Sequence, residues 1–214
     1  MKPNDEPRRA RSARLTLGRK ALTMLLFLVP IWCVEAHPHV FISNRMTVVF
    51  EGDELKGMAF SWTFDQFFTT MILHDFKPAA DGTFSPEVTA SVKSEDFDNL
   101  ENYHYFLAFF VGQQPVKKIR IERFRPYVAD GDRLVYSFFV PLNLHASAKA
   151  HTLRVTVYDD SYYVAFDLMR TTDVQVECGA AMAVDLSVEK TKVRPLWPGQ
   201  YMPDQLVVKY QERS

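Results

Sequence analysis

The sequence predicts a mainly β fold of the α+β class: an antiparallel β-sandwich-like domain with a helical insertion after the second strand. Three observations predict it. Apolar and polar residues alternate from Val40 to Phe50. From Tyr103 onward, short β-rich segments recur with tight turns between them. Between these regions, one stretch after Asp65 lacks Gly and Pro and carries its apolar residues at helical spacing.

Val40, Ile42, Met46, Val48 and Phe50 mix with Ser43, Arg45 and Thr47, the period of a half-buried strand. Glu51-Gly52-Asp53 is a turn, and Leu55 to Phe64 is a second strand closing a hairpin with the first. Phe67, Phe68, Met71 and Ile72 then mark a short helix over Gln66 to Phe76. Lys77 to Pro86 is a loop punctuated by Pro78, Asp81-Gly82 and Pro86. Ser85-Pro86-Glu87 starts a second helix, with Ser as cap, Pro in the first turn and Glu at the positive helix end. That helix is expected to run through Leu100, making the insertion about residues 66–100. Strands are expected over Tyr103–Val111, Val116–Tyr127, Arg133–Val140, His151–Tyr158 and Tyr162–Leu168, with one or two more in Val174–Val188. Gly112-Gln113-Gln114-Pro115 and Asp130-Gly131-Asp132 are turns. Residues 191–214, with Pro195, Pro198 and Pro203, read as an extended C-terminal tail beyond a domain of residues 37–190.

Residues 1–36 have the three parts of a secretory signal peptide. A basic region (Arg8, Arg9, Arg11, Arg14, Arg19, Lys20) precedes an apolar run from Ala21 to Val34, and Val34-Glu35-Ala36 ends it. The run falls short of the roughly 20 residues that span a bilayer as a helix. Cleavage after Ala36 predicts a periplasmic protein that does not span the membrane. The leader takes seven of the 25 Lys and Arg but only three of the 26 Asp and Glu, so the mature chain is about five charges negative. No basic patch with interleaved aromatics is present, which argues against nucleic acid as a partner. Cleavage also leaves Cys178 alone, without an internal disulfide.

The sharpest chemical feature is His37-Pro38-His39. After cleavage His37 is the terminal residue and offers an α-amine and an imidazole. His39, two residues on, shares its strand face. Such a pair suits a transition metal; a terminal histidine brace would suit copper. His74, His104, His145 and His151 are further candidates, as are Asp65, Asp75, Asp159 and Asp160. Asp81-Gly82-Thr83-Phe84-Ser85 has the middle of a calcium loop. Its register puts Lys77, Ala79 and Val88 where carboxylates belong, so the reading is a turn of vestigial shape. No Gly-x-Ser-x-Gly elbow, phosphate loop or His-Glu-x-x-His is present, and no enzymatic activity is expected.

Five motifs stand in a recognisable order: Ala36-His37-Pro38-His39-Val40, Trp62-Thr63-Phe64-Asp65, Asp81-Gly82-Thr83-Phe84-Ser85-Pro86-Glu87, Tyr103-His104-Tyr105-Phe106, and Tyr158-Asp159-Asp160-Ser161-Tyr162-Tyr163. In this the chain resembles domain-of-unknown-function family 1007. Its members are often labelled as the periplasmic component of an uncharacterised ABC-type transport system, some beside nickel/cobalt-type membrane transporters. The resemblance implies transition-metal handling, with His37, His39, Asp65 and Asp159 as ligands. Two departures weaken any second, oxygen-rich site: the mid-chain loop lacks its end carboxylates, and Gln66 follows Asp65 where relatives often carry an acid. The expected function is a periplasmic accessory protein that binds nickel, cobalt or zinc for a membrane metal transporter. The rival readings are a metal-free periplasmic interaction module and a copper histidine-brace protein or oxidative enzyme.

Overall fold

The structure is a computed structural model, described over residues 39–129, 132–191 and 203–213. The predicted leader, His37 and Asp130-Gly131 of one predicted turn lie outside the described residues. Among those described, no helix is long and apolar enough to cross a membrane.

Two β-sheets pack around one core, as the alternation requires. Strand β1 (Val40–Glu51) buries alternate residues and pairs antiparallel with β2 (Glu54–Phe64), with Asn44 opposite Trp62. β2 then pairs with β6 (Arg133–His145), and β6 with β5 (Glu122–Ala129). On its other side β1 meets β8 (Val164–Phe166) and, further along, β9 (Val174–Glu177). These last two pairings are parallel, the exception to the otherwise antiparallel architecture. The second sheet has the order β10 (Met182–Lys190), β11 (Asp204–Glu212), β7 (His151–Val157), β3 (Leu107–Val111), β4 (Gln114–Pro115). Aromatic contacts join the sheets: Phe60 meets Phe109 at 6.2 Å and Phe50 meets Tyr210 at 5.4 Å between ring centroids.

β11 corrects the reading of residues 191–214 as a tail. It is an interior strand, hydrogen-bonded to β10 on one side and β7 on the other. Leu206, Val207 and Val208 are all buried, so both faces are covered and no clean alternation marks the strand. Other predicted strands shorten. Residues 116–121 are irregular and β5 begins only at Glu122, beside a register shift and Arg123 at φ 52°. Tyr162 to Leu168 contributes only Val164–Phe166, because the preceding loop wraps around Asp159.

The insertion holds two helices. Helix α1 (Gln66–Asp75) is capped by Asp65 and stacks Phe68 on Phe64 at 4.5 Å. Its buried Thr69 accepts the Leu134 amide at the start of β6 at 3.1 Å, fixing the helix to one end of the sheet. Helix α2 (Pro86–Glu95) begins as predicted, with Ser85 accepting from the Val88 amide at 3.3 Å. It stops at Asp96 rather than Leu100. The chain tightens into 3-10 turns over Phe97–Phe106, and Phe97 becomes fully buried. His104, Tyr105 and Phe106 follow at φ 52°, 52° and 54°, so the strand predicted from Tyr103 starts only at Leu107. The loop between the helices is a closed turn. Asp81 accepts from both the amide and the hydroxyl of Thr83, and Val128 of β5 donates to the Gly82 carbonyl at 2.8 Å.

Gly57 supplies a test of this packing. It has φ 154° at a bulge opposite β6, and a Cβ there would lie 2.1 Å from the Val140 carbonyl oxygen. Gly57→Ala is expected to destabilise the fold by more than about 2 kcal/mol, read by chemical denaturation.

Candidate functional site

The start of β1 gathers the residues singled out in the sequence. Asp65 ends β2 and holds two elements at once. Its Oδ1 accepts the Phe68 amide at 2.9 Å, capping α1, and its Oδ2 accepts the Phe41 amide on β1 at 2.6 Å. The Asp65 amide returns a bond to the Phe41 carbonyl at 2.9 Å. Ile42 pairs with Phe64, so Asp65 stands opposite Phe41 and shares its face. His39, two residues before Phe41, belongs to that same outer face. A carboxylate has about four acceptor positions, so Asp65 keeps capacity for a further partner.

His39 is exposed and leads directly to the next strand. Its amide donates to the Tyr163 carbonyl at 2.8 Å, and its ring lies 5.1 Å from the Tyr163 ring. Neither ring nitrogen is engaged by another described residue. Asp159 is a different kind of carboxylate. It is buried, and it accepts the amides of Ser161, Tyr163 and Val164 at 2.9, 3.1 and 2.9 Å. The Ser161 hydroxyl lies within 2.8 Å of both its oxygens. Three amides and one hydroxyl proton take up its roughly four acceptor positions and leave none for a metal. Asp159 therefore shapes the loop that presents Tyr163, and Tyr163 in turn supports His39.

The fold thus brings His39, Asp65 and Asp159 to one end of the first sheet, with Asp159 turned inward. Among the described residues no three His, Cys, Asp or Glu side chains converge closely enough to hold a metal ion. His37 lies outside them. The other candidates scatter. His74 pairs with Asp75 at 2.7 Å on α1, His145 approaches Asp53 at 3.9 Å, and His151 meets the Ser147 hydroxyl at 2.9 Å and stacks on Tyr210. His104 belongs to the left-handed turn, and Cys178 is exposed just beyond β9.

A pocket of about 390 Å³ opens beside this end, beneath Tyr163. Val40, Trp62 and Phe64 from the sheet form one wall, and Leu100, Tyr103 and Phe106 from the 3-10 region form another. Asp96, half-buried at the end of α2, accepts the Tyr136 hydroxyl at 2.5 Å through Oδ2. Burial raises the Asp96 pKa, with the Tyr136 bond opposing the shift. Burial beside that carboxyl also pushes the Tyr136 hydroxyl far up, so it stays protonated. Sequence reasoning missed Asp96. Nothing in Ser94-Glu95-Asp96 separates it from a solvated helix end, and only the tertiary fold puts aromatic rings around it.

Backbone strain gathers around the same pocket. Non-glycine residues at positive φ cost roughly 1–3 kcal/mol each. His104, Tyr105, Phe106 and Tyr162 account for four of the seven among the described residues.

The class defined here is a two-sheet β domain whose helical insertion closes one end over an aromatic pocket, next to an exposed histidine. Comparison with known sequences agrees on kinship. The chain belongs to the family described as "Protein of unknown function (DUF1007)", whose model matches residues 22–195. An uncharacterised protein of Haemophilus influenzae is 30% identical over 149 residues, 68% of this chain and 69% of that one. An uncharacterised 15.5 kDa protein from the trpE 3' region of Spirochaeta aurantia is 27% identical over 130 residues, 61% of this chain and 90% of the relative.

Two outcomes test these assignments. Asp65→Ala should cost about 1–2 kcal/mol through loss of the helix cap, and Asp65→Asn less, because its one amide oxygen can still cap α1 although the Phe41 amide loses its acceptor. Asp159→Ala should cost about 2–4 kcal/mol, because backbone amides lose their acceptor. Equilibrium denaturation reads both. For Asp96 the sign runs the other way. The folded state holds its proton more tightly than the unfolded chain, so stability falls as pH rises from the ordinary carboxylate range through the raised value. Asp96→Asn should raise the melting temperature at pH 7, and the difference should shrink towards pH 4.

Proposed function

We propose that this chain is a periplasmic accessory protein that binds nickel, cobalt or zinc and exchanges it with a membrane metal transporter. The observation that carries the reading is His39. Its ring is exposed at the start of β1, steadied by Tyr163, with neither nitrogen engaged by another described residue and Asp65 on the same face. Imidazoles with a carboxylate suit borderline divalent ions. His37, two residues earlier, supplies the second imidazole. Asp65 has the spare acceptor capacity for a third donor; Asp159 has none and serves as a positioning residue. The export part of the proposal rests on the basic and apolar leader, and the transporter part on the family resemblance described above.

The test is metal binding by mature protein beginning at His37, measured by calorimetry and metal analysis. About one ion per chain is expected, with a thermal upshift that grows with metal concentration. The His37→Ala, His39→Ala double variant should bind more than about tenfold more weakly. Asp65→Asn removes the charge and keeps one acceptor for the cap at the expense of the Phe41 bond, so it should weaken binding while the protein still folds, as a circular dichroism melt would show. Equal binding by wild type and the double variant would overturn the site, and a clear preference for copper would favour the histidine-brace reading.

A further inference from the structure

We infer that the pocket under Tyr163 is a binding site for a small organic cation, an ammonium group carried on an apolar or aromatic body. Its volume of about 390 Å³ lies within the range of small-molecule sites. Phe64, Phe68, Tyr103 and Phe106 line it with Trp62 buried behind them, and aromatic rings attract cations electrostatically.

The polar groups select the ligand. Two carboxylates reach the pocket, Asp96 and Asp159. Those of Asp159 are filled by its own loop. Asp96 gives one oxygen to Tyr136, and its Oδ1 has no partner among the described residues. No Lys or Arg lines the pocket to balance that charge. An anion would be repelled. A neutral apolar ligand would fill the space but leave the carboxylate desolvated and unpaired. A divalent metal would find one free carboxylate oxygen among aromatic rings, too few donors for its coordination. An ammonium group meets both demands, with hydrogen bonds to Asp96 and its carbon body against the rings.

Backbone geometry points to the same place. Tyr103 precedes the left-handed run His104-Tyr105-Phe106, and Tyr162 precedes Tyr163 in a second left-handed conformation. Strain held on both sides of one pocket is what a preorganised binding wall requires. This inference is independent of the metal proposal, because it uses none of His37, His39 or Asp65.

The experiment titrates mature protein with 2-phenylethylamine, 2-phenylethanol and 3-phenylpropionate, followed by tryptophan fluorescence, since Trp62 lines the pocket. The amine should bind at least about tenfold more tightly than the alcohol, and the carboxylate should not bind measurably. Asp96→Asn keeps an acceptor for Tyr136 and should erase the preference for the amine. Leu100→Trp should fill the pocket and block the amine while Asp96 remains. Equal binding of amine and alcohol by the wild type would overturn the proposal. So would an amine preference that survives Asp96→Asn, or no binding of any probe.

Discussion

Trp62 is the side chain on which the rest of the first sheet depends. It is fully buried in β2, and its indole N–H reaches Asn44 Oδ1 on β1 at 3.1 Å. A buried indole donor needs such a partner, and so does a buried Asn. That bond fixes the register of the hairpin from the inside. The indole also contacts Phe138 of β6 at 4.8 Å, Phe166 of β8 at 5.3 Å, Phe106 at 6.3 Å and Phe97 at 6.4 Å. One residue therefore sets where β8 crosses, where the 3-10 turns press down, and how much space remains as a pocket. Asn44 extends the constraint, because its own amide donates to Asp167 at 3.0 Å just past β8.

The acidic residues divide into two kinds. Asp65, Asp81 and Asp159 all receive backbone amides at the ends of elements. Each is a short carboxylate doing what a strand end or turn demands, which is to satisfy N–H groups that no ladder reaches. Asp96 is the opposite case. It receives one phenol and faces aromatic rings, and burial raises its pKa. Its second oxygen closes no backbone bond among the described residues and is open to a ligand.

Much of the fold was legible because it follows from short-range chemistry. β1 and β2 show the alternation of strands buried on one face, and Asp65 and Ser85 mark both helix starts. Three features were not legible. β11 is covered on both faces, so Leu206-Val207-Val208 lacks the period that betrays a strand. The parallel pairing of β8 and β9 with β1 joins residues more than a hundred positions apart, which local patterning cannot specify. The left-handed run His104-Tyr105-Phe106 has no glycine to announce it. Its aromatic residues read as a strand, and core packing overrode that propensity. The site divides in the same way. The His-Pro-His start is plain in the sequence, whereas the pocket exists only once five separate segments meet.

Tyr163 is where these two regions touch. Its ring lies against His39 on the outside and also lines the pocket on the inside. Its amide is held by Asp159, which fixes its backbone at the meeting point. The same side chain is therefore a wall of the pocket and the support of the exposed imidazole, although the two regions share no polar group. Asp159, the most thoroughly hydrogen-bonded carboxylate of the three, is what holds that residue in position.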